Sequence, residues 1–548
     1  MQINKNKSIT QEECDSYKRP KLDLLLTLHI SSKIAGLATG MQAFLMKISN
    51  QRLIDVSVLF SGILLTFAFA PFAFFPLAIL TPALLLFFLH DVSAKRAFWL
   101  GYLFGLGLYG VGVYWVFISI HSFGDLPNWL AGIITAGMIA ILACFPALTC
   151  YLTNRYFPRT NRAKILLAFP AIWVFSEWIR SWILTGFAWL FIGYSQTNSP
   201  LRGYAPLLSV YAVSLAALIS SACLVSAIIK YKEKKIRSSV YYLLSLLIIW
   251  IIGGLLTLIP WTQPIGKPIA VSLIQGNVPQ TIKWDPEHVN VSLQRYQQLT
   301  ESTWGKDKLI IWPESAVPLP LIDARDFLNA LDIQAEKNDS HLILGVPIET
   351  PTHEGYYNAL ITLGKEKQVY LKRRLVPFGE YTPLQKFLSS SFNFMNIPMS
   401  NLVAGNYFQQ PFFLNNTKIQ ASICYEITFP EMIKTSDKEL GLLLTVTNDA
   451  WFGESSAQAQ HLQMAAMRAI ELGRPVLFAS NDGITAIINP NGTIAKAAPQ
   501  RTTYVLNGMV QPMYGLTPWM RNGLDPMLAI LIVSIIAAVR LNKKNDDN

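Results

Sequence analysis

The stretch Ala421-Ser-Ile-Cys-Tyr-Glu426 predicts a short buried strand that ends at a cysteine. Two other strings have a similar form, Ile311-Trp-Pro-Glu314 and Tyr370-Leu-Lys372. The glutamate, the lysine and the cysteine are separated by 58 and 52 residues, which is too far for one helix or one hairpin to hold them. A carboxylate, an ammonium group and a thiol that arrive from three separate strand ends can build a site for covalent acyl transfer.

Around these strings, short apolar runs alternate with helical patterns. The segment Ser455–Leu472 predicts a helix that ends at Gly473, and Asn491-Gly492 predicts a hairpin turn. Strands that alternate with helices are typical of a layered α/β fold. The predicted strands are Ala270–Gln275, Leu309–Trp312, Leu342–Val346, Ala421–Cys424, Leu442–Thr447 and Val476–Ala479.

The composition indicates a multi-domain protein with a polytopic α-helical membrane domain. Of the 548 residues, 52% are apolar and only 14% are charged, which argues against a fully soluble protein. Apolar stretches close to the roughly 20 residues that cross a bilayer recur along the chain. About eight spans are predicted, at 54–71, 73–90, 97–120, 128–152, 165–190, 205–229, 239–260 and 524–540.

Lysine and arginine residues decide the predicted orientation. They gather in the loops 91–96, 154–164 and 230–238 and at the C-terminus, which places these segments in the cytoplasm and the region 266–515 on the periplasmic or cell-surface side. The same grouping accounts for the net charge of +11, so nucleic-acid binding is not expected.

The predicted domains are a polar and amphipathic N-terminal extension (1–52), a transmembrane domain of seven spans (53–262), a catalytic domain (266–515) and a C-terminal transmembrane helix (524–541). Within the extension, 23–50 predicts either an interfacial amphipathic helix or a poorly ordered leader.

Cysteine usage narrows the chemistry of the soluble region. The chain has five cysteines, and Cys424 stands alone between 266 and 515, which excludes a disulfide framework and a cysteine-rich zinc site there. No histidine or acidic cluster has the spacing of metal ligands, so neither a metal nor a cofactor is expected.

A cysteine attacks a carbonyl as thiolate, and a free thiol has a pKa of about 8.5. Glu314 can take the proton as general base. Lys372 can stabilise the oxyanion that the attack creates, and its charge also favours the thiolate.

The soluble region resembles the nitrilase superfamily, and more closely the apolipoprotein N-acyltransferase family. Similar strings in the membrane part are Pro71-Phe72, Val113-Tyr-Trp-Val116, Phe123-Gly124, Thr185-Gly-Phe187 and Gly193-Tyr-Ser-Gln196. In the soluble part they are Gln275-Gly-Asn-Val-Pro-Gln280, Ile311-Trp-Pro-Glu-Ser315, Leu375-Val-Pro-Phe-Gly-Glu-Tyr381, Ile423-Cys-Tyr-Glu426, Thr447-Asn-Asp-Ala-Trp-Phe-Gly453, His461-Leu-Gln-Met-Ala465 and Glu471-Leu-Gly-Arg-Pro475.

The resemblance implies an αββα sandwich in which Glu314 is the general base, Lys372 the oxyanion stabiliser and Cys424 the nucleophile. It also implies that Glu380 supports Lys372 or the intermediate. It further implies that Tyr425 and Glu426, which follow the nucleophile, belong to the site. The aromatic residues that it implies either line the entrance for acyl chains or pack in the core, and they are Trp284, Trp451 and Phe452.

Three further residues have competing interpretations. His461 is expected to be structural, because the Glu-Lys strings make a histidine base unnecessary. Glu177 and Arg180 lie three residues apart on one face of an apolar run, where they either pair between helices or mark a functional site. Arg180 lies about 24 Å from the inner end of its span, so contact with a phospholipid phosphate is one expectation.

The function implied by the resemblance is lipoprotein maturation in the bacterial inner membrane. An acyl chain would pass from a phospholipid to Cys424 and then to the α-amine of a diacylglyceryl-cysteine at the N-terminus of an apolipoprotein. The expected partners are therefore these two lipid substrates and the surrounding membrane lipids, and a monomer is expected. A membrane-tethered amidase or hydrolase and a catalytically silent scaffold are the alternatives.

Overall fold

The computed structural model describes residues 51–124, 126–158, 161–305, 309–377, 379–381 and 401–546. Nearly all of the predicted N-terminal extension, 1–52, lies outside these residues. The helices are α1 (Gln51–Thr66), α2 (Leu77–Phe88), α3 (Ala94–Gly112), α4 (Trp115–Phe123), α5 (Asn128–Tyr156), α6 (Phe169–Arg180), α7 (Ala205–Lys232), α8 (Ile236–Leu256), α9 (Gln280–Lys283), α10 (Val289–Glu301), α11 (Arg325–Lys337), α12 (Pro430–Ile433), α13 (Ala457–Leu472), α14 (Pro518–Asn522) and α15 (Asp525–Asp546).

Several of these helices are long and apolar enough to cross a membrane. In the described part of the chain there are four, namely Asn128–Tyr156, Pro200–Lys232, Ile236–Leu256 and Asp525–Lys543. The pair α3 and α4 makes a fifth if its 49° bend is counted as one broken span. These helices agree with a membrane domain.

The predicted count of about eight spans is not confirmed. Helix α1 has 16 residues and α2 has 12, fewer than the roughly 20 that a straight span needs. The stretch 165–190 is not one helix, because a π-helical turn, Ala163–Ala168, leads into α6 and the chain leaves the helix after Arg180. Beyond that point the Trp189 indole and the Tyr194 hydroxyl donate hydrogen bonds to the soluble domain.

Glycines let the membrane helices approach closely. A Cβ atom on Gly101 would lie 2.5 Å from the Pro146 carbonyl oxygen, and one on Gly105 would lie 2.6 Å from the Ala143 Cα, so these two glycines seat α3 against α5. Gly110 meets nothing within 4 Å and has no such role.

The soluble domain contains two six-stranded sheets. The strand order is β13-β2-β3-β4-β5-β6 in the first sheet and β12-β11-β10-β9-β8-β7 in the second. The strands are β1 (Gln263–Pro264), β2 (Ile269–Gln275), β3 (Leu309–Ile311), β4 (His341–Glu349), β5 (Tyr356–Leu363), β6 (Val369–Leu371), β7 (Phe412–Leu414), β8 (Thr417–Ile423), β9 (Leu440–Thr447), β10 (Val476–Ser480), β11 (Ala486–Ile488), β12 (Ile494–Ala497), β13 (Tyr504–Val510) and β14 (Met513–Tyr514).

Apolar side chains from both sheets meet in one core, in which Leu273 and Ile311 of the first sheet join Ile423 and Leu444 of the second. The outer face of the first sheet is covered by α10 and α11, and that of the second by α13. The layers are therefore helix, sheet, sheet and helix, which confirms the predicted αββα sandwich.

The predicted strands and the helix that ends at Gly473 are confirmed to within a few residues. Gly473 has a φ of 60°, the left-handed conformation that ends many helices.

Candidate active site

The carboxyl ends of the strands bring the predicted triad together. Glu314 lies just beyond β3, Lys372 directly follows β6 and Cys424 directly follows β8. β3 and β6 belong to the first sheet and β8 to the second, so the site lies where the carboxyl ends of strands from both sheets meet, and ligands of α/β folds usually bind at the carboxyl ends of strands. Glu314 and Lys372 are buried and Cys424 is half-buried.

Lys372 lies between two carboxylates. Its Nζ is 3.1 Å from Oε1 of Glu314 and 2.7 Å from Oε1 of Glu380. The side-chain amide of Asn358 donates to the same two oxygens, at 2.7 and 3.3 Å. The predicted supporting glutamate, Glu380, therefore contacts Lys372 directly, and Asn358 bridges the two acids.

Glu314 is held from two more directions. The backbone N–H of Asn448, which follows β9, donates to Oε2 at 3.0 Å. Lys283 Nζ donates to the backbone carbonyl of Glu314 at 3.0 Å. The Asn448 side chain in turn donates to Gln280 Oε1 at 2.6 Å. The carboxylate is thus fixed in orientation before any substrate arrives, as preorganised catalysis requires.

The pKa values of the two carboxyl groups beside Lys372 are shifted in opposite directions. Burial works to raise the pKa of Glu314, but the charge of Lys372, the hydrogen bonds from Lys372 and Asn358, and the charge of Lys283 together lower that pKa below its ordinary value. Burial raises the pKa of Glu380, and the negative charge of Glu314 adds to the rise. Burial works to lower the pKa of Lys372, yet the two carboxylates raise it. Glu314 is therefore the more acidic of the two carboxyl groups, and Lys372 stays charged.

Cys424 has strained backbone geometry. Its φ is 51°, in the left-handed region that non-glycine residues rarely adopt, which costs of the order of 1–3 kcal/mol. Burial raises the pKa of its thiol, the charge of Glu314 raises it further, and Lys372 acts in the opposite direction. The group is therefore a neutral thiol at neutral pH, within electrostatic reach of both Glu314 and Lys372.

Glu426 ties the nucleophile to the lysine segment. Its Oε2 accepts hydrogen bonds from the backbone N–H of Ile423 (2.7 Å) and the hydroxyl of Tyr370 (2.8 Å). Its Oε1 accepts from the backbone N–H groups of Arg373 (2.6 Å) and Arg374 (3.2 Å). The side chain is fully buried. One carboxylate thus fixes the residues next to Lys372 and Cys424.

Tyr425 and Arg374 connect the site to the segment that follows α6. The Tyr425 hydroxyl donates to the carbonyl of Gly186 at 2.8 Å. The Arg374 guanidinium donates to the carbonyls of Ser181 and Thr185 and lies over the ring of Phe429. The membrane part therefore forms one wall beside the nucleophile.

The predicted aromatic residues have different surroundings. Phe452 is buried, and its ring contacts those of Trp115 and Trp189 at 4.8 and 5.7 Å. Trp451 is half-buried, contacts Phe123, and accepts a hydrogen bond from the Ser119 hydroxyl at its backbone carbonyl. Phe452 and Trp451 thus join the soluble domain to α4. Trp284 is half-buried and directly follows the helix that carries Lys283.

Arg180 is buried within the membrane part. Its guanidinium donates to the carbonyl of Trp189 at 2.6 Å and lies over the rings of Tyr109 and Phe191. The residue is only 3% exposed, so a phosphate could reach it only by displacing these contacts. Glu177 accepts hydrogen bonds from the backbone of Ile192 and the indole of Trp173.

Sequence reasoning missed several residues at the site. Asn358, Lys283 and Asn448 all contact Glu314, but none was identified as a site residue. Asn448 lies in the string Thr447–Gly453, and Lys283 precedes Trp284, so both adjoin residues that had been singled out. Asn358 lies inside β5, a strand that was not predicted, and no signal pointed to it.

Two family models match the chain. Residues 61–223 match the model described as the apolipoprotein N-acyltransferase N-terminal domain, and residues 270–516 match the one described as carbon-nitrogen hydrolase. A protein of Coxiella burnetii named apolipoprotein N-acyltransferase is 39% identical over 88% of this chain and 99% of its own length. The chain belongs to the apolipoprotein N-acyltransferase family.

Other members of the family support this assignment. The Azotobacter vinelandii protein of the same name is 41% identical over 87% of this chain and 94% of its own length. That of Methylococcus capsulatus is 41% identical over 87% of this chain and 95% of its own length. The shared region runs through both the membrane part and the soluble domain.

No metal site is evident in the part of the chain that the structure describes, because no group of three or more His, Cys, Asp or Glu residues there could hold an ion.

Proposed function

We propose that this chain is an apolipoprotein N-acyltransferase that moves an acyl chain from a phospholipid to the α-amine of an N-terminal diacylglyceryl-cysteine. The observation that carries the mechanism is the contact of Lys372 with Glu314 beside the thiol of Cys424. Membership of the family supports the substrates, and the geometry of the site supports the proposed roles of its residues.

In the first half-reaction, Glu314 takes the proton of the Cys424 thiol as the sulfur attacks the ester carbonyl of the phospholipid. The carbonyl oxygen becomes an oxyanion, and the buried ammonium group of Lys372 stabilises it. Collapse of the intermediate returns the proton to the leaving alcohol, so lysophospholipid departs and an acyl thioester remains on Cys424.

In the second half-reaction, the α-amine of the diacylglyceryl-cysteine attacks the thioester carbonyl. Glu314 accepts the proton that the amine must lose, and Lys372 again stabilises the oxyanion. The thiol of Cys424 is regenerated, and the lipoprotein leaves with an amide-linked third acyl chain. Glu380 keeps Lys372 charged and placed throughout both steps.

The proposed setting is a bacterial inner membrane, with the soluble domain on the periplasmic side and a monomer as the functional unit. The domain division 53–262, 266–515 and 524–541 and the count of eight spans belong to this proposal. The contacts of Tyr425 and Arg374 with the segment after α6 support a site at the boundary between the membrane part and the soluble domain. A site at this boundary can receive two lipid substrates that never leave the bilayer. In this setting Trp284, Trp451 and Phe452 line the acyl path.

The test is transfer by purified protein in phospholipid vesicles to a synthetic diacylglyceryl-cysteine peptide. We expect the peptide to gain one acyl chain in the wild type, Glu314→Gln and Cys424→Ser to abolish the gain, and Lys372→Met to remove most of it. Free fatty acid or ammonia as the product, with no acylated peptide, would instead support a membrane-tethered hydrolase or amidase.

A further inference from the structure

The backbone carbonyl of Cys424 has a buried partner that the proposed mechanism does not use. Nε2 of His461, on α13, lies 3.1 Å from this carbonyl oxygen. Nδ1 of the same ring lies 3.0 Å from Oδ1 of Asp449. Both His461 and Asp449 are fully buried. The imidazole therefore connects a carboxylate to the main chain of the nucleophile.

Aromatic rings enclose this imidazole. Trp189 stacks on it at 5.9 Å, while Phe452 and Phe478 approach it edge to face at 6.0 and 5.3 Å. Water is thereby kept from the ring, and the orientation of the imidazole is fixed by packing as well as by its two hydrogen bonds. Such double restraint is what a precise positioning group needs.

The charged and titratable surroundings of the ring are few. The carboxylate of Asp449 also accepts the hydroxyl of Thr447 at 2.7 Å, and Asp482 lies within electrostatic reach of it. On the side of the nucleophile, the thiol of Cys424 and the charges of Glu314 and Lys372 lie beyond the carbonyl.

The two hydrogen bonds of the imidazole determine how many protons His461 and Asp449 carry together. A carbonyl oxygen can only accept, so Nε2 of His461 must carry a proton. The contact between Nδ1 and Oδ1 of Asp449 needs a second proton, because two bare acceptors would repel each other. Whether that shared proton lies nearer the ring or the acid, the pair is neutral overall, and the Nε2–H remains directed at the carbonyl of Cys424.

The carbonyl it holds belongs to the strained residue of the site. Cys424 has a φ of 51°, and such a conformation persists only where its surroundings impose it. Glu426 restrains the backbone one residue before the cysteine through the N–H of Ile423, and His461 restrains the carbonyl of the cysteine itself. The two contacts together set the direction in which the thiol leaves the backbone.

We propose that Asp449 and His461 form a positioning pair that, by donating Nε2–H to the Cys424 carbonyl, holds the strained backbone of the nucleophile and aims its sulfur at the acyl carbon. This inference rests on the proposed role of Cys424 as nucleophile. His461 itself touches no reacting atom, so it is a positioning residue and neither a base nor an acid in the reaction.

The test compares His461→Gln with His461→Met, two variants of similar length of which only the glutamine can donate a hydrogen bond to the carbonyl. Single-turnover acylation of Cys424 by a phosphatidylethanolamine is followed by intact-protein mass, and alkylation by iodoacetamide reports whether the thiol is accessible. The matched control is His341→Gln, a buried histidine 3.0 Å from Glu366 at the far end of β4.

We expect His461→Met to slow acylation about tenfold to hundredfold, as misplacement of a reacting group does. The KM for the phospholipid and the alkylation rate should change less than about twofold. His461→Gln should recover at least part of the lost rate, and His341→Gln should acylate like the wild type. Acylation within twofold of wild type in folded His461→Met, or equal losses in the Gln and Met variants, would overturn the proposal.

A measurement on the unsubstituted protein covers the case in which His461→Met does not fold. In ¹⁵N-histidine spectra, the signal assigned to His461 by its loss in His461→Gln should show a proton on Nε2, and an unprotonated Nε2 would contradict the proposal. If the wild type itself is not acylated, the proposed function fails instead, so the two failures are distinct.

Discussion

Replacement of Glu426 by glutamine tests how the site is held together. The carboxylate accepts two hydrogen bonds on each oxygen, from Ile423 and Tyr370 on one and from Arg373 and Arg374 on the other. In glutamine one of these positions becomes an NH₂ group, which cannot accept. The Tyr370 hydroxyl can rotate to accept from the new amide, but a backbone N–H cannot.

At least one buried backbone donor is therefore left without an acceptor in Glu426→Gln. An unsatisfied buried donor costs about 1–3 kcal/mol, and the remaining hydrogen bonds lose the strengthening that a charged acceptor gives. We expect a total loss of stability of about 2–4 kcal/mol, which lowers the unfolding midpoint of a domain of this size by about 4–16 °C.

Activity should fall along with stability, because the backbone at Arg373 and Ile423 positions Lys372 and Cys424. We expect single-turnover acylation at a temperature where the variant is folded to be slower by about tenfold or more. The control is Glu439→Gln, in which an exposed carboxylate paired with Lys418 is replaced. Such a surface change should shift the midpoint by less than about 2 °C. A midpoint and an acylation rate for Glu426→Gln that match those of this control would refute the reasoning.

Three further predictions concern the acids and the strand that supports them. Because the pKa of Glu314 is lowered, its carboxylate and the stability that it contributes persist as pH falls through the ordinary value of 4.5 and are lost only below it, so wild-type acylation should show no acid limb above about pH 4.5. Lys372→Met should raise the pKa of Glu314, move the acid limb of the pH profile upward and abolish most of the rate. An acid limb that does not move in Lys372→Met would contradict the ion pair. Burial lowers the pKa of Lys283 to about 8. Lys283→Met should shift the acid limb of the acylation pH profile in the same direction as Lys372→Met, but by a smaller amount. A shift as large as that of Lys372→Met would contradict the smaller effect of Lys283 on the pKa of Glu314. In Gly345→Ala the new Cβ would lie 2.4 Å from the backbone nitrogen of Ser315 and 3.0 Å from the carbonyl carbon of Glu314. Thermal unfolding should therefore show a loss of stability of about 1–3 kcal/mol, and acylation should be slower. The control Gly110→Ala, whose new Cβ meets nothing within 4 Å, should show neither effect.

The sequence predicted the catalytic fold well because its strands are short, apolar and followed by unusual polar strings. Leu309–Ile311 and Thr417–Ile423 are buried on both faces and give clear apolar runs that end next to Glu314 and Cys424. The edge strands were harder to predict. Val369–Leu371 has only three residues with an exposed first position, and a period-two pattern needs more length than that.

The predictions for the membrane part were limited because they rested on apolar composition alone. Apolar composition predicted that 165–190 is a span, but the chain leaves the helix after Arg180, and some of the apolar residues beyond it are buried against the soluble domain. Trp189 and Tyr194 illustrate this, since both are buried and both donate to that domain. Composition cannot distinguish burial in protein from burial in lipid.

The role of His461 depended on contacts between residues far apart in the chain. A histidine base was unnecessary beside Glu314 and Lys372, and the geometry agrees, because the ring meets the carbonyl of Cys424 and not its sulfur. The hydrogen bond to that carbonyl joins residues 37 positions apart, and no local pattern predicts it.

The central claim is that Cys424 carries the acyl chain as a thioester. The most direct test is intact-protein mass spectrometry after incubation with a defined phosphatidylethanolamine, on the wild type and on Cys424→Ser. We predict a mass gain of one acyl chain in the wild type that neutral hydroxylamine removes, and no gain in the variant. A folded wild-type protein that gains no acyl chain, or a gain that persists in Cys424→Ser, would contradict the account.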